Sequence, residues 1–142
     1  MNRWSLMFIA SFLIWGCGPG GKSRDSKFQQ YLVQGEELYL KHCSNCHQKS
    51  GKGLGLLYPP LDQSDFMDQN LDSVICLIKN GRSGEILVNG KKYNQPMPGV
   101  PLLSDLEIAE ITTYIYNTWT HDKGIIEVNQ VTSILEKCAT RQ

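Results

Sequence analysis

Cys43-Ser44-Asn45-Cys46-His47 is the stretch on which the reading of this chain turns. Residues three apart share one face of a helical turn, so the two thiols stand side by side. His47 follows at once and offers a neutral imidazole nitrogen from the same place. The set suits a flat macrocycle fixed twice through sulfur and ligated at its iron through nitrogen: C-x-x-C-H is the attachment signature of a c-type haem. Zinc would need four ligands, and no second Cys or His pair stands at zinc-like spacing. A thioredoxin-like dithiol would follow a strand in a βαβ pattern, and none is visible.

The N-terminus supplies a context for that motif. Asn2 and Arg3 form a short positive head, followed by an apolar run from Trp4 to Trp15 broken by Ser5 and Ser11. The run is too short for a bilayer, which takes roughly 20 apolar residues, and reads as a secretory signal peptide. Leu13-Ile14-Trp15-Gly16-Cys17 resembles a bacterial lipobox. The resemblance implies cleavage before Cys17 and lipid on its sulfur; the alternative is ordinary cleavage nearby, with Cys17 discarded or left free. Several acyl chains, at about 0.8 kcal/mol per buried CH₂, would make a stable anchor. The expected organisation is a signal peptide over 1–16, a lipid-anchored flexible linker over 17–27 rich in Gly, Pro and Ser, and one domain over 28–142. The expected location is the periplasmic side of a bacterial membrane. Basic and acidic side chains balance at 14 each, so nothing implies a nucleic acid partner.

Tyr31, Leu32, Gly35, Leu38 and Tyr39 recur at helical steps and predict a helix from about Phe28 into Cys43. Gly35 inside it costs roughly 1 kcal/mol relative to Ala, which implies close approach of another backbone. The aperiodic, Gly- and Pro-rich segment 50–60 predicts a loop wrapping something. Ser64 is placed to cap a short turn through Phe66 and Met67. Val74, Ile75, Leu77 and Ile78 predict a helix from Leu71 to Asn80, with Gly81 as its left-handed cap. Ile86-Leu87-Val88, Asn89-Gly90 and Lys91-Lys92-Tyr93 predict a hairpin with a type I′ turn. Ser104-Asp105-Leu106-Glu107 is a capping box opening a helix to about Thr118, and Val131, Ile134 and Leu135 mark a last helix over Val128 to Cys138. The fold class is all-α: about five helices around one bound group, with one small hairpin.

An electron-transfer haem takes a second axial ligand, usually His or Met. His42 adjoins Cys43 and cannot reach the other face, and His121 sits in a polar loop that predicts a surface role. Met67 belongs to the short capped turn, as a wall or core residue. Met97 lies in Gln95-Pro96-Met97-Pro98-Gly99, where flanking prolines stiffen an extended backbone; it is the expected distal ligand. Leu54, Leu56, Leu57, Tyr58, Leu61, Phe66, Ile75, Ile78 and Leu102 are the expected wall. Arg82 and Tyr93 are candidates for bonding propionates, and Lys49, Lys52, Lys91 and Lys92 for a basic rim facing an acidic partner.

Over roughly Tyr31 to Cys138 the chain resembles a class I cytochrome c. In that family a glycine and an aromatic before the first haem cysteine pack on the C-terminal core helix, and Gly35 and Tyr39 occupy those places, with Ile111 and Tyr114 as the facing pair. The proline whose carbonyl holds the haem histidine falls at Pro59 or Pro60, and Met97-Pro98 matches the distal motif. Tyr93 to Pro98, Leu103 to Ala109 and Tyr114 to Trp119 are similar to cytochrome c domains associated with quinoprotein dehydrogenases and bacterial respiratory enzymes. The resemblance implies one covalent haem c and a one-electron carrier between redox proteins, not an enzyme and without a small-molecule substrate. A relay subunit of a fixed dehydrogenase or oxidase complex is the alternative, and a haem peroxidase or gas sensor a more distant one.

Two further cysteines remain, Cys76 and Cys138. An oxidising compartment favours a bridge between them, which would pin the last helix to the body; two unpaired thiols are the other arrangement.

Overall fold

Helix α1 (Lys22–His42) carries the cysteine pair into place; the chain turns at Cys43 and a single-turn helix, α2 (Ser44–His47), follows. The computed structural model describes residues 22–139. The expected signal peptide, and Cys17 with its lipid, lie outside the described residues. α1 begins at Lys22, so residues 22–27, within the expected linker, are helical. They include neither Gly nor Pro, and Lys27 is held by an ion pair of 2.6 Å to Glu127.

Helices α3 (Asp65–Gln69), α4 (Leu71–Asn80), α5 (Asp105–Ile115) and α6 (Val128–Ala139) complete the helical part. Ser64 caps α3, accepting the N–H of Met67 at 3.3 Å. Ser104 and Glu107 form the reciprocal capping box of α5. Leu103 before that cap and Ile108 one turn inside the helix are both buried, the positions of a hydrophobic staple. α5 ends at Ile115, short of the expected Thr118, because Asn117 turns the chain: its side-chain amide donates to Thr113 and Gly124 carbonyls and its oxygen accepts the Gly124 N–H at 2.8 Å.

Two small antiparallel ladders join the helices, where one hairpin was expected. β2 (Ile86–Val88) pairs with β3 (Lys91–Tyr93) through Asn89-Gly90, both at positive φ as a type I′ turn requires. β1 (Gly81–Arg82) pairs with β4 (Met97–Pro98), setting Arg82 against Met97. A ladder two residues long has no periodicity to read, so the sequence pattern does not show it.

The most extensive packing is α1 against α5. Gly35 is the crossing point: a Cβ there would run into the Glu110 carbonyl and come within 2.7 Å of the Tyr114 Cβ. One turn on, Tyr39 packs its ring on Tyr114 and Trp119 at centroid distances of 5.4 and 5.6 Å. α6 buries Val131 and Ile134 against the body, and a disulfide joins its Cys138 to Cys76 of α4, Cα atoms 6.0 Å apart.

That bridge closes a loop with a sequence separation of 62. Removing it by the double change Cys76→Ser and Cys138→Ser is expected to lower stability by about 4 kcal/mol, chiefly by freeing the unfolded chain. Urea unfolding of parent and variant measures the difference; equal midpoints would mean that the bridge is absent from the native protein.

Candidate functional site

Helices α1 to α5 and both ladders line a cleft, open on one side, with about 1190 Å³ of space free of protein atoms inside it and at its solvent-filled mouth. Cys43, Cys46, His47 and Met97 all line it. The chain is thus folded so that the motif at the end of α1 and the thioether of β4, far apart in sequence, face the same space.

His47 is buried, and its Nδ1 stands 3.0 Å from the Pro59 carbonyl oxygen. A carbonyl only accepts, so the proton sits on Nδ1 and the lone pair is left to Nε2, the tautomer a metal ligand needs. Of the two prolines, Pro59 makes the contact. Burial pushes the imidazole below its usual range, outweighing the opposing effect of the Pro59 bond, and so keeps it neutral. Cys43 is half-buried; desolvation first, and the neighbouring Cys46 second, raise its thiol to about 11. Tyr39, behind them, donates to the Gln48 carbonyl at 2.6 Å and so fixes the turn that leaves the motif.

Met97 is held by backbone as much as by its prolines. Gly81 ends α4 at φ +74°, and a Cβ there would strike the Gly99 nitrogen and Met97 carbonyl. Gly99 is equally tight: its Cβ would lie 2.5 Å from the Asn80 carbonyl carbon and 2.7 Å from the Lys79 oxygen. Val100 then donates to the Ile78 carbonyl at 2.9 Å. Two glycines thus let the Met97 segment lie directly on the end of α4, a close approach that Cβ atoms would forbid.

The wall is apolar and differs in part from the expected one. Tyr58, Leu61, Phe66 and Ile78 line the cleft, joined by Met67, Val74, Leu77 and Ile111. Leu54, Leu56, Leu57 and Leu102 are exposed, Leu102 at 96%. The loop carrying the first three closes on itself through Leu54–Tyr58 backbone bonds, which turns its leucines outward; at the start of α5, Leu103 takes the buried place beside Leu102. Ile75 is buried in the core away from the cleft, because the face of α4 toward the space is that of Val74, Leu77 and Ile78. Arg82 and Tyr93 both line the cleft. Of the expected basic rim, Lys92 is engaged by Glu85 at 3.1 Å, an exposed pair of small energetic weight. His42 is exposed. His121, expected at the surface, is instead buried: Leu61 and Asp68, brought over it by the fold, bond both its ring nitrogens.

Two thiols, a neutral imidazole and a thioether on one apolar cleft are the donors that a covalently held haem uses, and the residues present fit that group. Comparison with known proteins agrees. The family model described as Cytochrome c matches residues 32–119. Cytochrome c-552 of Thermus thermophilus is 30% identical over 97 residues, which cover 66% of this chain and 73% of that protein. A second cytochrome c-552 of Thermus thermophilus is also 30% identical over 97 residues, 65% of its length. The cytochrome c subunit of the quinone alcohol dehydrogenase of Gluconacetobacter polyoxogenes is 28% identical over 106 residues, which are 72% of this chain but 22% of that subunit.

Proposed function

The chain belongs to the cytochrome c family, and on that premise we propose that it is a one-electron carrier holding a single haem c with His47 and Met97 as axial ligands. The observation that carries this reading is the convergence of Cys43, Cys46, His47 and Met97 on one apolar cleft. When bound, the haem supplies an iron centre that accepts and releases one electron. The residues of the chain set the conditions. Cys43 and Cys46 fix the macrocycle through two thioethers. Pro59 orients His47 and makes it a better donor. Met97 contributes a weak thioether donor, which favours the reduced state and raises the potential. Phe66, Val74, Leu77 and Ile78 keep water from the metal, so little solvent has to reorganise when the charge changes.

Donor and acceptor are redox proteins. Cys17, as a lipidated first residue of the exported chain, would tether it to the membrane on the periplasmic side, and Lys49, Lys52 and Lys91 would face an acidic partner. The likeness to a dehydrogenase subunit favours one second reading, a relay inside a fixed complex; co-purification with a dehydrogenase from native membranes separates it from a free carrier. A peroxidase or gas sensor would need an open iron position, and a native reduced protein that binds carbon monoxide would favour that class.

The purified exported protein is expected to be coloured, with an intact mass one haem above that of its polypeptide. Cys43→Ala with Cys46→Ala is expected to lose the covalent addition. A colourless parent, or a parent mass without the macrocycle, would refute the reading.

A further inference from the structure

Thr120 and His121 lie behind the cleft wall, not on it, and hold one side of it in place. The His121 side chain is 3% exposed. Its Nδ1 is 2.8 Å from a carboxylate oxygen of Asp68, and its Nε2 is 2.8 Å from the Leu61 carbonyl oxygen. A neutral imidazole carries one N–H and can serve one acceptor. The ring meets both oxygens only when both nitrogens are protonated. Beside it, the Thr120 hydroxyl accepts the Gln63 N–H at 3.0 Å and donates to the Asp62 carboxylate at 2.9 Å. Two consecutive side chains therefore grip the segment 61–68 at four points. Leu61, Ser64, Phe66 and Met67 of that segment line the cleft.

We propose that His121 is a positioning residue for the cleft wall: as an imidazolium it clamps Leu61 and Asp68 together, and loss of one ring proton releases one of the two contacts. The contact is buried, so its loss is not made up by water. With both ring nitrogens protonated the clamp is closed, and with one proton gone it is loosened. The ionisable groups in the segments packed around the ring are Asp62, Asp65 and Asp68 before and on α3, Tyr116 after α5, and Asp122 and Lys123 next to it in sequence. Asp68 alone among them bonds the ring. Tyr116 lies with its ring centroid 5.7 Å from that of His121 and donates its hydroxyl to the Met67 carbonyl at 2.7 Å; burial pushes its phenol above the ordinary range, so it does not titrate with the imidazole. The Lys123 ammonium donates to the Asp68 carbonyl at 3.4 Å, on the far side of the same clamp. That the wall so held faces a haem rests on the function proposed above; the clamp itself does not.

The test uses the whole protein, reduced and labelled with ¹⁵N, in a pH titration with two readouts. Long-range ¹H–¹⁵N spectra follow both ring nitrogens of His121, and hydrogen exchange, corrected for the intrinsic rate, follows the amides of Gln63 and Asp68. We expect both nitrogens protonated at the acid end. As pH rises one proton is lost, and in the same step the protection of the two amides falls about tenfold, the effect of one hydrogen bond to a charged group. Asp68→Asn removes the charged acceptor of the clamp and is expected to displace both events together. His121→Gln is expected to abolish the step. A ring with a single proton throughout and undiminished protection would overturn the proposal, as would an exchange step that Asp68→Asn leaves in place. A colourless sample would refute the haem reading and leave these measurements standing.

Discussion

Gly35→Ala is expected to destabilise the protein by about 3 kcal/mol, the upper part of the range for an extra group forced into packed space. Two effects oppose each other at this position. Alanine is the better helix former, by about 1 kcal/mol, and α1 is a long regular helix. Against that, the new methyl would meet the Glu110 carbonyl and, at 2.7 Å, the Tyr114 Cβ. Both belong to α5, and the carbonyl is backbone, so no rotamer change relieves the contact. The crossing must open, and with it the contact of Tyr39 with Tyr114 and Trp119. For a domain of this size the loss corresponds to a fall in Tm of roughly 12 °C. Thermal unfolding followed by circular dichroism measures it. A variant as stable as the parent, or more stable, would show that helix propensity decides and that the two helices do not meet at Gly35.

What the sequence discloses here is what local chemistry determines. Asn89-Gly90 dictates a hairpin because both residues tolerate positive φ, and the two lie at φ 51° and 71°. Ser104 and Glu107 mark the start of α5 because one capping residue answers the other within four positions. Gly35 signals a helix crossing because nothing else justifies its cost. The cysteine motif and the Pro-Met-Pro segment point to the candidate donors, though not to how Met97 is carried to the cleft; that depends on Gly81 and Gly99 meeting across 18 residues of chain. Their pairing is a fact of tertiary structure. So is the burial of His121: its neighbours Thr120 and Asp122 are polar, and its partners Leu61 and Asp68 stand 60 and 53 positions away. Leu54, Leu56 and Leu57 mislead in the opposite sense. Apolar residues near a motif suggest a wall, yet the turns of their loop aim them at solvent, and a folded surface carries many apolar atoms without harm.

Met97→Ala is expected to have the largest functional effect of any single substitution that leaves the fold intact. The segment does not depend on the methionine side chain for its position. It is fixed by the ladder of Arg82 with Met97 and Gly81 with Pro98, by the Gly81–Gly99 contact and by the Val100 bond to Ile78. Truncation at a half-buried position therefore removes the proposed donor and spares the loop, and the melting temperature should change by a few degrees at most. The redox properties should change far more. A one-electron couple shifts tenfold in equilibrium constant, about 1.4 kcal/mol, for each 59 mV, and a thioether favours the reduced state by more than that step relative to oxygen or nitrogen donors. The midpoint of the variant is accordingly expected to fall by well over 59 mV. The weak absorption in the red that arises from sulfur bound to ferric iron should vanish, and the reduced variant should take up carbon monoxide where the parent does not. Spectroelectrochemistry of both proteins at one pH and salt concentration, with carbon monoxide added to the reduced samples, reads all three. An unchanged spectrum and midpoint, in a variant that melts with the parent, would mean that the second donor comes from elsewhere and that the stiff segment holding Met97 serves only to close the cleft.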